Sequence, residues 1–154
     1  MSADARIAEL QLELPPAPKP AGVYKPALIV GDLCYVSGHG PLLPDGTLIT
    51  GVVGDSMTQE QGYEAAKQTG LAILATLKAH LGSLDRIDRV VKLLGMVNCT
   101  PEFGAQPAVI NGCSELMASV FGDDHGVGTR SAVGFNALPG GIAIEIEGAF
   151  RLKS

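Results

Sequence analysis

The stretch that decides the fold is Thr129-Arg130-Ser131-Ala132-Val133-Gly134-Phe135-Asn136-Ala137, continuing through Leu138-Pro139-Gly140-Gly141 into Ile142-Ala143-Ile144-Glu145-Ile146-Glu147-Gly148-Ala149-Phe150. Both halves alternate. Val133, Phe135 and Ala137 share one face of the first, with Arg130, Ala132, Gly134 and Asn136 opposite. Ile142, Ile144, Ile146 and Phe150 share one face of the second, with Glu145 and Glu147 opposite. A period of two marks half-buried strands, and Pro139-Gly140-Gly141 has the composition of a turn, so the spacing predicts a hairpin. If both apolar faces meet one core, Arg130 and Glu145 point to the same side. A symmetric turn offsets them by roughly 13 Å at about 3.3 Å per residue, which predicts no simple cross-strand salt bridge and leaves either room for something small between them or a bulge that closes the gap. The alternative is a surface hairpin with solvated charges. Against it, Arg130 enters its strand from the loop Gly126-Val127-Gly128, and the small residues on its face leave space for something to approach.

These residues carry a resemblance. Arg130-Ser131-Ala132-Val133, Leu138-Pro139 and Ile144-Glu145-Ile146-Glu147 resemble the C-terminal signature of the reactive-intermediate deaminase (Rid, or YjgF-like) family, and Tyr24 with Ser37-Gly38 resembles its N-terminal hairpin. The pattern can be laid over about residues 22–152. It implies a chorismate-mutase-like α+β sandwich of the bacillus type, assembled as a homotrimer with ligand clefts between subunits. The implied activity is that of a 2-iminobutanoate/2-iminopropanoate deaminase-like hydrolase, which converts reactive enamines and imines to 2-oxo acids and ammonia. Arg130 would hold the substrate carboxylate and Glu145 a water, while Tyr24, Ser37, Gly38 and Ala132 complete the pocket; no cofactor is implied. Ala132 stands where the family commonly has Cys, and Met117 where an aromatic is often found, which points to a longer, divergent subgroup. Periodicity alone does not separate Glu145 from Glu147.

Composition narrows the alternatives. The chain has 154 residues, enough for one domain with a proper core. Its formal net charge is −5, and no basic run is present, which argues against a nucleic-acid surface. Cys34, Cys99 and Cys113 are odd in number with no CxxC pair, and His39, His80 and His125 are scattered. They read as reduced thiols and isolated imidazoles, with no metal site. His39, lone in a Gly-rich loop, reads as a structural hydrogen-bonding group. Asp4, Arg6 and Glu9 rule out a signal-peptide core, and no apolar run is long enough for a membrane span, so the expectation is a cytoplasmic protein.

Residues 1–21 read as an N-terminal helix or arm with a Pro-rich linker, and residues 22–154 as the Rid-like domain. Leu28-Ile29-Val30 and Leu33-Cys34-Tyr35-Val36 flank the turn Gly31-Asp32, predicting a hairpin. Thr58, with Gln61 three residues on, predicts a capped helix to about Leu81, stopped by Gly82. Residues 89–98 read as a central strand, and Pro107 opens a second helix that Gly122 closes. The order predicts a mixed sheet with two helices on one face; the other face, carrying Arg130, would be open and would invite self-association. Two further functions stay open: a carboxylate-metabolite binding or holdase-type protein, for which Arg130 alone would suffice, and action on RNA, which the acidic balance disfavours.

Overall fold

A computed structural model describes residues 1–154. A short helix α1 (Ala3–Glu9) leads by the Pro-rich segment to β1 (Ala27–Val30) and β2 (Leu33–His39). Then follow α2 (Gln59–Leu81), β3 (Ile87–Asn98), α3 (Gln106–Phe121), β4 (Thr129–Phe135) and β5 (Ile144–Leu152). The five strands form one mixed sheet in the order β1-β2-β5-β3-β4, with α2 and α3 packed on one face. This is the expected α+β sandwich.

The local signals act as their chemistry dictates. Val30 pairs with Leu33 across the Gly31-Asp32 turn, Gly31 taking the positive φ of 63° that such a turn needs. Thr58 and Gln61 exchange side-chain and backbone bonds in a capping box, and Gly82 ends α2 in the left-handed conformation. Ile73, Leu74 and Leu77 of α2, Ile110 and Met117 of α3 and Ile144, Ile146 and Phe150 of β5 are fully buried between helices and sheet. The predicted central strand is central: β3 pairs with β5 on one side and β4 on the other.

That position overturns the C-terminal hairpin. β4 and β5 are not neighbours, because β3 lies between them, parallel to β4 and antiparallel to β5. Their connection wraps the end of β3. Asn98 N donates to Ala143 O, Asn98 Nδ2 to Ile142 O at 3.2 Å, and Cys99 N to Phe135 O. Pro139–Gly141 still turn the chain, as a single 3-10 turn within this crossover. Alternation identified two strands; it carries no information on which strand each one pairs with.

The facing of β4 is also reversed. In register with Leu93, Gly95 and Val97 of β3, Arg130, Ala132 and Gly134 face the helices, whereas Val133 and Phe135 lie on the open face, 39% and 43% exposed. The small residues do leave room, and α3 fills it. A Cβ on Gly134 would lie 2.8 Å from both Cys99 Sγ and Gln106 Nε2. Close helix packing, not solvent, selects small side chains here. The open face is therefore lined by Leu28, Tyr35, Leu94, Val133, Glu145 and Glu147, and Arg130 is absent from it.

The N-terminal arm folds back on its own chain. Ala3 and Ile7 join the main core, with Leu12 and Leu14 packed against it. Asp4 accepts from Ser83 Oγ at 2.6 Å and pairs with Lys78 at 3.1 Å. No helix is long and apolar enough to cross a membrane.

Candidate functional site

Ser37 and Gly38 sit in a β-bulge. Val36 pairs with Gly148 and His39 with Ile146, so both residues oppose the single position Glu147. The bulge is held by three hydrogen bonds to Ser37. Ser37 N donates to Pro26 O, and Ser37 Oγ donates to Lys25 O at 2.6 Å. From the core side, His39 Nδ1 meets Ser37 O at 2.5 Å and its Nε2 meets Thr76 Oγ1 of α2 at 2.8 Å. A carbonyl only accepts, so Nδ1 carries the proton and Nε2 accepts from the threonine hydroxyl. His39 is 4% exposed, and burial lowers its pKa below the usual imidazole value. It is a neutral structural hydrogen-bonding group, as its isolation in the sequence suggests.

Glu145 lies against this bulge. A Cβ on Gly38 would be 2.9 Å from its carboxyl carbon, so the carboxylate touches the backbone where a side chain is missing. Burial raises the Glu145 pKa, and the neighbouring Glu147 charge raises it further. Tyr24 closes the other side, its hydroxyl accepting from Ala21 N at 3.1 Å. Tyr24, Ser37, Gly38 and Glu145, with Pro139, line a cavity of about 360 Å³. Four of the six expected residues thus converge within one chain.

The other two do not join them. Arg130 and Ala132 lie on the opposite face of the sheet, at its β4 edge beneath α3. Arg130 Nη1 donates to Asn111 Oδ1 at 2.7 Å and to Ser114 Oγ at 3.1 Å. Those two bonds use both Nη1 protons, leaving the Nε–Nη2 fork without a partner in the chain. No carboxylate forms an ion pair with it. A half-buried guanidinium braced by two neutral acceptors, with its fork unpaired, is suited to an incoming carboxylate. Asn111 and Ser114 are one helical turn apart on α3; that spacing is visible in the sequence, but nothing in the alternation of β4 turns Arg130 toward this helix. Met117 is fully buried in the core, and Cys113, beneath Arg130, is pushed by burial to about 12 despite the guanidinium, leaving an unreactive thiol. No group of three or more His, Cys, Asp or Glu side chains is placed to hold a metal ion.

Comparison with known proteins agrees with this architecture. Residues 4–138 match the family described as YjgF/chorismate mutase-like, putative endoribonuclease. The chain is 39% identical over 150 residues to Protein TCP17 of Trypanosoma cruzi, covering 97% of this chain and 94% of that protein. A putative endoribonuclease from Shewanella oneidensis superposes with a TM-score of 0.94 at 28% identity, covering 99% of this chain and all of the other. A protein of unknown function from Agrobacterium tumefaciens does so at 0.88 and 39% identity, covering 98% and 94%.

Proposed function

Because the chain belongs to the YjgF/chorismate mutase-like family, we propose that it hydrolyses 2-imino acids and their enamine tautomers to 2-oxo acids and ammonia. One observation carries the reading: an unpaired Arg fork and a carboxylate of raised pKa, the two groups the reaction needs, are both present but on opposite faces of one chain. They can serve one substrate only if two copies supply them. The open sheet face, with Leu28 and Tyr35 each 46% exposed toward one edge and Val133 and Phe135 exposed at the other, supports burial against further copies, and the assembly we propose is a homotrimer with a site at each junction.

At such a junction Arg130 of one copy holds the substrate carboxylate through two parallel hydrogen bonds. Glu145 of the neighbouring copy holds a water over the imine carbon. Its raised pKa makes it the stronger base, so it takes a proton as the water oxygen bonds to that carbon. The C=N π pair of the protonated imine moves to nitrogen and gives a carbinolamine. Glu145 returns its proton to that nitrogen, and the C–N bond then breaks as the hydroxyl oxygen forms the C=O bond and its proton passes to Glu145, leaving 2-oxo acid and ammonia. Binding does most of the work, because the imine carbon is already electrophilic.

The test generates 2-imino acids in situ with an amino-acid oxidase, with semicarbazide trapping whatever imine survives. Imine loss faster than the uncatalysed rate, abolished in Arg130→Ala, is expected. No acceleration with small, branched or aromatic imines would overturn the proposal in favour of carboxylate binding without turnover, which the Arg130 fork alone could serve. RNA cleavage, named in the description of the Shewanella protein, has less support: this chain is acidic overall and its sequence holds no basic run.

A further inference from the structure

Beside Glu145 opens a second, larger cavity of about 580 Å³ that the reaction above does not use. It starts at Gly38 and Glu145 and runs between two walls, Pro16 and Pro18 of the N-terminal segment on one side and Leu42 and Leu48 of the β2–α2 loop on the other, with Ile142 between them. Both walls are fixed. Pro15 is buried, Leu12 and Leu14 pack on the core, and Ala21 is tied to the Tyr24 hydroxyl. In the loop, Leu42 bridges to Leu48, Leu43 N donates to Thr47 O at 2.8 Å, and Gln68 Nε2 of α2 donates to Leu42 O at 2.5 Å. At Gly40 a Cβ would lie 3.1 Å from Ile142 Cδ1 and 3.2 Å from Leu48 Cδ2, so loop and crossover meet closely there.

Cavities of about 300–1,000 Å³ bury whole drug-sized molecules. A carboxylate, an imine carbon and one water leave most of this one empty. Its walls are proline and aliphatic side chains, and its charged groups lie at the ends: Glu145 where the reaction would occur, and Lys19, exposed on the N-terminal segment. Such a space favours apolar groups over polar ones.

We propose that this cavity is the side-chain pocket of the site, and that the preferred substrates are 2-imino acids with a bulky apolar side chain, branched aliphatic or aromatic. The assignment rests on the hydrolase reading, and it gives the N-terminal segment a role as one wall of the pocket. The side chain lies between Pro18 and Leu48, while the imine carbon stays at Glu145.

The experiment pairs two readouts on the full-length protein: turnover of in situ imines derived from alanine, leucine, phenylalanine and glutamate, and calorimetric affinity for the matching stable 2-oxo acids. We expect the leucine- and phenylalanine-derived compounds to exceed the alanine-derived ones at least tenfold in both kcat/KM and affinity. Leu48→Trp, on an exposed loop position, fills the cavity and should lower the large-to-small ratio at least tenfold; Pro18→Glu, which places a charge in the opposite wall, should act in the same direction. Preferential binding of large 2-oxo acids without imine turnover would support the pocket and overturn the hydrolase reading. Turnover without size preference, or with both variants affecting large and small compounds alike, would overturn the pocket and leave hydrolysis standing. Preference for the glutamate-derived compound would replace the apolar assignment with one centred on Lys19. Neither binding nor turnover of any of them would overturn both.

Discussion

A side-chain carbon on Gly38 would lie 2.9 Å from the carboxyl carbon of Glu145 and 3.0 Å from its Oε2. The carboxylate therefore rests against the one residue of the β2 bulge that has no side chain. Gly38→Ala should move Glu145 and lower the kcat of imine hydrolysis by about ten- to a hundredfold, the usual consequence of misplacing a reacting group by about an ångström. The group in the way is the end of a half-buried side chain, so the melting temperature should stay within a few degrees of wild type. A variant with unchanged kcat would remove Glu145 from the chemistry.

The separation of Arg130 and Glu145 onto opposite sheet faces makes the proposed site a shared one, and mixing exposes that. Arg130→Ala and Glu145→Gln should each be inactive alone. Co-refolded in equal amounts, they should recover about one intact site in four by random assortment at junctions between copies. If both residues acted within one chain, every subunit would carry a lesion and no activity would return. Sedimentation of the mixture checks the assembly in the same samples.

Glu145 must be ionised to take a proton from water. Burial and, secondarily, Glu147 hold its pKa above the ordinary carboxylate value, so the acidic limb of kcat/KM should lie above that value too. Glu147→Gln removes a negative charge and eases ionisation, so the limb should move to lower pH. Because burial is the larger cause, the shift should be incomplete. A limb unmoved by Glu147→Gln would place the titrating group elsewhere.

His39 makes stability depend on pH. Its folded pKa lies below the ordinary imidazole value of 6.5, so below that pH the unfolded chain binds a proton that the native state refuses. Stability is then fully present above pH 6.5 and lost as pH falls through 6.5 toward the folded pKa, with a slope of at most about 1.4 kcal/mol per pH unit. Urea unfolding at pH 7.5 and 5.5 should give a smaller difference for His39→Gln than for wild type. Equal differences would mean that His39 titrates normally.

Gly112 of α3 packs directly on α2, where a Cβ would sit 2.0 Å from Tyr63 O and 3.0 Å from Lys67 N. Both are backbone atoms in a long helix and have little freedom to yield. Gly112→Ala should cost at least about 1–3 kcal/mol in urea unfolding through overpacking, against a helix-propensity gain of about 1 kcal/mol. Net stabilisation would show that the two helices slide apart at small cost.

The sequence by itself determined the elements, because their signals are local. Gly31-Asp32, Thr58 with Gln61, Gly82 and the alternation around Val133 and Ile144 each act within a few residues of chain. It also marked the residues of the proposed site, through a resemblance carried by Arg130, Glu145, Tyr24 and Ser37-Gly38, and His39's isolation pointed to a structural role. Partner and facing were decided by the tertiary structure. A period of two states that faces differ but not which is buried, and β4 turned its small face inward because α3 had to approach Gly134 closely. The insertion of β5 between β2 and β3, far apart in sequence, cannot be read from the Pro139–Gly141 turn, since the same turn serves a hairpin or a crossover around Asn98. The inward facing of β4 puts Arg130 and Glu145 on opposite faces, which is why one chain holds only half of each proposed site.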